Sequence, residues 1–148
     1  MTEESKIDIK TKETRNPKGS RIIKAITDVY VQLGVGLLES IYQKAIAKEL
    51  QVLGYHVELE YPIVLSYIDS NNEKHYISTL RIDLLVDDDI VIELKTIKHK
   101  PVHETQLKRY LTSLNKPTGY LINLTENINI VEIHREETTT TTNEKVDN

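Results

Sequence analysis

The stretch RIDLLVDDDIVIELK, residues 81–95, limits the fold more than any other part of this chain. It reads as two apolar strands joined by an acidic turn, because Asp87-Asp88-Asp89 has a common hairpin-loop length between runs rich in Val, Ile and Leu. A three-residue loop pairs Val86 with Ile90, and counting back along both strands brings Asp83 opposite Glu93. Directly opposed residues of antiparallel strands hold their Cβ atoms about 4.5–5.5 Å apart. Alternation then puts Arg81, Asp83, Leu85, Val91, Glu93, Lys95 and Ile97 on one face. The other face, Ile82, Leu84, Val86, Ile90, Ile92, Leu94 and Thr96, is almost uniformly apolar and marks a buried side.

Two opposed carboxylates repel each other, the more so where water is scarce. Something positive must sit between them, or one must keep a proton. Lys95 is one source of positive charge. A hard divalent cation with oxygen ligands is another, since paired carboxylates are a usual way to hold Mg²⁺. An ion and an ammonium together make a catalytic arrangement: the ion polarises a phosphate and an attacking water, and the ammonium orients that water or stabilises developing charge. The ordinary alternative is a solvated sheet face carrying a Glu–Lys pair, and these three residues alone leave it open.

The rest of the chain frames the hairpin. Residues 1–16 are polar and aperiodic, and are expected to be flexible. A helix is predicted from about Ser20, with Ile22, Ile23, Ile26, Val29, Tyr30 and Leu33 at helical spacing, interrupted by Gly34 and Gly36. A second runs from about Leu37 to Leu53 and ends at Gly54. A strand over His56–Ile68 is predicted to be irregular at Pro62. The Asp69-Ser70-Asn71-Asn72 cluster turns the chain into strands near Lys74–Val86 and Ile90–Ile97. A loop with Pro101, a helix over about His103–Leu114 and two strands, GYLINL and INIVEIH, complete the domain. Residues 136–148 contain a TTTTT run and are expected to be a disordered tail. The pattern is that of an α/β fold, helices packed around a mixed sheet, with one domain over residues 17–135.

Composition removes several function classes. The chain has no Cys, which excludes disulfides, thiolate chemistry and Cys-based zinc sites. A soluble, intracellular, cytoplasmic protein is expected, with no membrane association, since no apolar run reaches spanning length and no secretory leader is recognisable. The net charge of −4 does not by itself exclude a polyanionic partner. Residues 136–148 contribute −3 of it, from Glu136, Glu137, Glu144 and Asp147 against Lys145. His99 and His103 have a helical metal-binding spacing, but Pro101 between them breaks the turn, and no metal is assigned to them. No nucleophile elbow supports a Ser–His–Asp hydrolase.

The flanking helices carry further polar residues. Glu39 lies with Tyr42 and Ile46 on one helix edge, and Gln106 lies one turn from Tyr110. Each has an ordinary reading alone: Glu39 beside a helix dipole, Tyr42 in the core, Gln106 as an exposed helix former. In chain order, however, Gly36, Glu39 and Tyr42, then Asp83, then Glu93-Leu94-Lys95, then Gln106 and Tyr110 resemble the GxxExxY family of the PD-(D/E)XK nuclease-like superfamily. The resemblance runs from about Ile22 to Arg135, and its most specific pieces are GVGLLESIY, RIDLLVDDDIVIELKTI and TQLKRYLTSLNKPTGYLIN. It implies a restriction-endonuclease-like core of α-β-β-β-α-β order with the acidic hairpin at the centre of the sheet. It also implies that Asp83, Glu93 and the carbonyl of Leu94 hold Mg²⁺ or Mn²⁺ and that Lys95 assists the attacking water. By the same likeness Glu39 completes the metal shell or serves as a second base, while Gln106 and Tyr110 border the site and touch the nucleic-acid backbone. The chain departs from the family at Leu124, where members tend to have Phe.

Between residues 95 and 116 the bases Lys95, Lys98, Lys100, Lys108, Arg109 and Lys116 outnumber Glu104. Such a lip could track phosphates, with Lys98 and Lys108 as the contacts singled out, although a solvated loop and helix would look the same. The expected partner is nucleic acid, DNA ahead of RNA, and the expected activity is metal-dependent phosphodiester hydrolysis. A catalytically silent nucleic-acid-binding domain and a protein-interaction module, a homodimer included, are the alternatives on the same scaffold.

Overall fold

The computed structural model describes residues 16–135. Of the flexible segment expected over residues 1–16 only Asn16 is described; the rest of it and the tail expected over residues 136–148 lie outside the described residues. In chain order the elements are α1 (Pro17–Leu33), α2 (Glu39–Val52), β1 (Val57–Ile68), β2 (Lys74–Val86), β3 (Ile90–Lys95), α3 (Pro101–Leu114), β4 (Thr118–Leu124) and β5 (Ile128–His134). The strands form one five-stranded sheet in sequence order. Every neighbouring pair is antiparallel except β3–β4, which is parallel. A parallel pair needs a crossover, and α3 supplies it.

Helix boundaries follow their caps. α1 starts at Pro17, three residues before the predicted Ser20, because Asn16 accepts from the backbone N–H groups of Lys18 and Gly19 and Pro17 takes the first helical position. It ends at Gly34, whose φ of 78° suits glycine. α3 likewise begins at Pro101 instead of His103. Proline is tolerated there because the first helical N–H has no partner to lose. β3 stops at Lys95, short of the predicted Ile97.

Both faces of the sheet are apolar and covered. On one, Ile22, Ile26 and Tyr30 of α1 and Tyr42, Ile46 and Leu50 of α2 pack on Leu84, Val86, Ile90, Ile92, Leu94, Tyr120 and Ile122. α1 lies so close that a side chain at Gly19 would collide with the Tyr120 hydroxyl. On the other, Leu107, Tyr110 and Leu111 of α3 pack on Ile63, Ile82, Leu85, Val91, Leu121 and Ile133. Two expectations are corrected here. Ile82 and Leu84 should share a face by alternation, yet they join opposite cores, so β2 switches face at Asp83. The irregularity expected at Pro62 falls instead at Glu60, which has φ 53°, and again between Leu65 and Ser66. Pro62 itself pairs with Arg81 in the ladder. Beyond it, β1 and β2 project as an arm on which Val64, Tyr67, Ile68, Tyr76 and Ile77 are exposed.

Candidate functional site

The hairpin register is the one expected, with Val86 opposite Ile90, Leu85 opposite Val91 and Leu84 opposite Ile92. The ladder stops there. Asp83 and Glu93 come next, and their side chains replace the backbone bonds of a continuing ladder. The Glu93 carboxylate accepts from the Asp83 N–H through Oε1 at 3.0 Å, and the Asp83 carboxylate accepts from the Leu94 N–H through Oδ2 at 2.7 Å. This crossed pair wedges the two strands apart and holds both carboxylates in the opening. Asp83 Oδ1 and Glu93 Oε2 have no hydrogen-bond donor among the described residues.

Burial sets the electrostatics. Glu93 is 6% exposed. Loss of water pushes its carboxyl up to about 8, with the Asp83 charge adding to the rise and Lys95 opposing it. Asp83 is pushed up to about 6, again by burial first, with Glu39 and Glu60 contributing. A buried and a half-buried acid facing each other cannot both ionise cheaply without a cation. Lys95, half-buried at the end of β3, forms no ion pair within salt-bridge distance among the described residues. Its charge is nonetheless felt by Asp83, Glu93 and Glu39. The carboxylates are therefore not tied up by the ammonium.

Helices close the two sides. Glu39 is the first residue of α2, half-buried, and its carboxyl is raised by burial, lowered by Lys95 and raised again by Glu60. From α3, Tyr110 is 7% exposed and its hydroxyl is held above its ordinary range by burial and then by the Glu93 charge. Gln106 lies one turn before Tyr110 on the same face of α3, and its side chain partly offsets that rise. Leu94 buries its side chain in the core and offers only its backbone to the opening. Lys98 is exposed on the β3–α3 loop. Lys108 is exposed too, but it lies two residues from both Gln106 and Tyr110, hence across the helix from them. Lys116 leaves the predicted basic lip altogether, since it pairs with Asp88 at 3.1 Å at the turn end of the hairpin.

Sequence reasoning passed over two residues at this site. Gln43, only 6% exposed, donates from Nε2 to the Glu60 carboxylate at 2.8 Å and to the Asp83 carbonyl at 2.9 Å. Glu60 comes from β1, where its backbone adopts φ 53°, a feature no periodicity announces. Their one signal was the spacing of Gln43 from Glu39, one helical turn on. Sequence reading also treated Asp69 only as a turn residue, whereas Asp69, Glu73 and His75 bring their ligand atoms within 4.8 Å of one another. That group lies at the arm tip, about 30 Å along the strand from Asp83. Its Asp69 already accepts from the N–H groups of Asn71 and Glu73 and pairs with His75.

A mixed sheet with helices on both faces, opened at an Asp and a Glu-x-Lys on adjacent strands, defines the restriction-endonuclease-like class. The chain belongs to the PD-(D/E)XK nuclease superfamily, whose family model matches residues 16–136. No curated protein matches it. Among solved structures it is similar to the one reported as "Crystal structure of SSO0001", at 17% identity and a TM-score of 0.47, over 81% of this chain and 78% of that one. Among the described residues no helix is long and apolar enough to cross a membrane.

Proposed function

We propose that this chain is a Mg²⁺- or Mn²⁺-dependent nuclease that hydrolyses phosphodiester bonds, of DNA in preference to RNA, and that it is a cytoplasmic member of the GxxExxY branch. The observation that carries this reading is the crossed pair of half-buried Asp83 and buried Glu93, which has no ion-pair partner among the described residues. The donor set fits a hard cation: carboxylate oxygens of Asp83 and Glu93 with no donor of their own, the adjoining Leu94 backbone, and Glu39 on the flank. Among the described residues, Glu39, Glu60, Asp83 and Glu93 outnumber the Lys95 ammonium beside them, and that excess negative charge is what a divalent ion offsets. When bound, the ion supplies Lewis-acid polarisation of a phosphate oxygen and of water.

The chain's own groups do the remainder. Asp83 and Glu93 keep their positions because each anchors to the other strand's amide. The Lys95 ammonium, with no ion-pair partner among the described residues, is available to hold the attacking water and to offset charge developing on phosphate. Glu39 serves as a further ligand or as a base. Tyr110, with Gln106 one turn away on the same face of α3, forms one wall, and Lys98 stands at the rim where a phosphate backbone would pass. Lys108 contributes long-range attraction only. A homodimer remains part of the reading, to be checked by solution mass.

Cleavage of labelled single- and double-stranded DNA and RNA tests the proposal. Activity should need Mg²⁺ or Mn²⁺ and vanish on chelation. Asp83→Ala, Glu93→Ala and Lys95→Ala should each lower the rate about 100-fold or more while circular dichroism stays at the parent's. Variants that cut as well as the parent would overturn the site. Salt-dependent DNA binding with no cleavage under either ion would leave a silent binding domain.

A further inference from the structure

We propose that Gln43 is a positioning residue for Asp83: from α2, its carboxamide fixes the Asp83 peptide at the point where the sheet releases it, and Glu60 locks that carboxamide. The starting observation is a gap in two ladders at one residue. On the β1 side the register passes from Leu59↔Leu84 directly to Tyr61↔Ile82, with no pair at Glu60 and Asp83. On the β3 side it ends at Leu84↔Ile92. Asp83 therefore sits mid-strand with its peptide groups outside both ladders. Side chains take over: its N–H goes to Glu93 and its carbonyl to Gln43.

A buried carbonyl without a donor is costly, so the Gln43 bond is not optional packing. The carboxamide orientation is unambiguous, because both partners of Nε2, a carbonyl and a carboxylate, only accept. Glu60 can reach Gln43 because its backbone adopts φ 53°, which non-glycine residues rarely take. The Arg81 guanidinium donates to the Glu60 carbonyl and braces that left-handed residue. α2 thus delivers two groups from one face, Glu39 beside the notch and Gln43 one turn further in. The consequence runs through covalent structure: rotating the Asp83 peptide moves its carboxylate, and that carboxylate holds the Leu94 N–H.

A core-filling role would be met by methionine, of similar length and without a donor. Amide hydrogen exchange on the metal-free full chain separates the two roles. Gln43→Met should speed exchange at Asp83 and Leu94 roughly tenfold, the equivalent of one hydrogen bond, and leave Leu84 and Ile92 at the parent's rate. Glu60→Gln, which keeps an acceptor oxygen for the carboxamide, should stay near the parent, whereas Glu60→Met should follow Gln43→Met. Unchanged exchange at Asp83 and Leu94 would overturn the proposal. So would uniform acceleration across β2 and β3, which would mark Gln43 as ordinary core. A second readout rests on the nuclease reading above: calorimetric Mn²⁺ affinity should fall about tenfold or more in Gln43→Met, the effect typical of losing a residue that orients a ligand. If the parent binds no Mn²⁺ while the local exchange changes as stated, the metal reading fails and the positioning role stands. If the parent binds Mn²⁺ and Gln43→Met matches it in both affinity and exchange, the reverse holds.

Discussion

The β2–β3 hairpin is acidic at both ends, and the two ends treat their charge in opposite ways. At the turn, Asp87, Asp88 and Asp89 face water and have cations. The Lys18 ammonium from α1 lies 2.9 Å from Asp89 and 3.5 Å from Asp87, and the Lys116 ammonium lies 3.1 Å from Asp88. Asp87 and Asp88 have φ of 50° and 61°, a conformation Asp tolerates better than most residues. Asp87 also accepts from the His56 N–H, pinning the entry to β1. These acids are there for the turn. At the open end, Glu93 is buried and Asp83 half-buried, the two face each other, and they lack an ion-pair partner among the described residues. Nothing in the fold requires them, since Leu or Val would continue both strands. Acids that a fold partners serve the fold, and acids that it buries without partners await something else.

The largest effect expected from that contrast is on stability. A carboxyl whose folded pKa exceeds its unfolded value favours the fold while protonated, so its contribution is fully present below about pH 4 and is lost as pH rises through the folded value. With Asp83 raised to about 6 and Glu93 to about 8, metal-free protein should lose stability between pH 4 and 8. Glu93→Gln keeps an acceptor for the Asp83 N–H and removes the charge. It should therefore be more stable than the parent at pH 8 by on the order of a few kcal/mol, with the difference shrinking toward pH 4. Urea denaturation at both pH values checks this, and a Glu93→Gln variant less stable than the parent at pH 8 would break the contrast.

A divalent ion should reverse the same loss. Mn²⁺ at 100 times its Kd should stabilise the parent by about 2.7 kcal/mol at pH 8. The gain should be smaller at pH 5, where protons compete for the carboxylates, and absent in Glu93→Gln. Thermal melts with and without the ion measure it. Equal stabilisation of parent and variant would shift attention to the Asp69–Glu73–His75 group at the arm tip.

The open end was readable in the chain because hairpin counting needs only local information. Three acidic residues between two β-rich runs set the loop, the loop set the register, and the register brought Asp83 and Glu93 together. The caps were misread by a few residues at Asn16 and Lys100, where Asn-Pro and Lys-Pro start helices earlier than the apolar periodicity does. Contacts made across the fold were illegible. Gln43 looks like any exposed helix former until β1 arrives over it. Glu60 looks like an outward strand residue, because a single left-handed residue leaves no mark on the periodicity. Lys116 counts toward a basic lip in one dimension and sits at the far end of β3 in three. The face switch at Ile82 and Leu84 belongs to the same group. Alternation holds only while the ladder does, and at Asp83 both ladders lapse.

The turn end offers the smallest effect and a control for the others. Lys18→Ala removes the cation shared by Asp87 and Asp89, yet the pair is partly exposed and water screens what remains. Exposed pairs are worth about 0–1 kcal/mol, so the variant should lose no more than that at low salt and less at 1 M. Asp88→Asn should be nearly silent, because Asn also tolerates left-handed backbone and the Lys116 contact is exposed. Neither change should move the stability loss between pH 4 and 8, since that loss is expected from Asp83 and Glu93 at the other end of the hairpin. Denaturation of Lys18→Ala across that pH range decides the matter. A pH profile altered as much as that of Glu93→Gln would show that the two ends communicate through β3, and the division between partnered and waiting acids would have to be withdrawn.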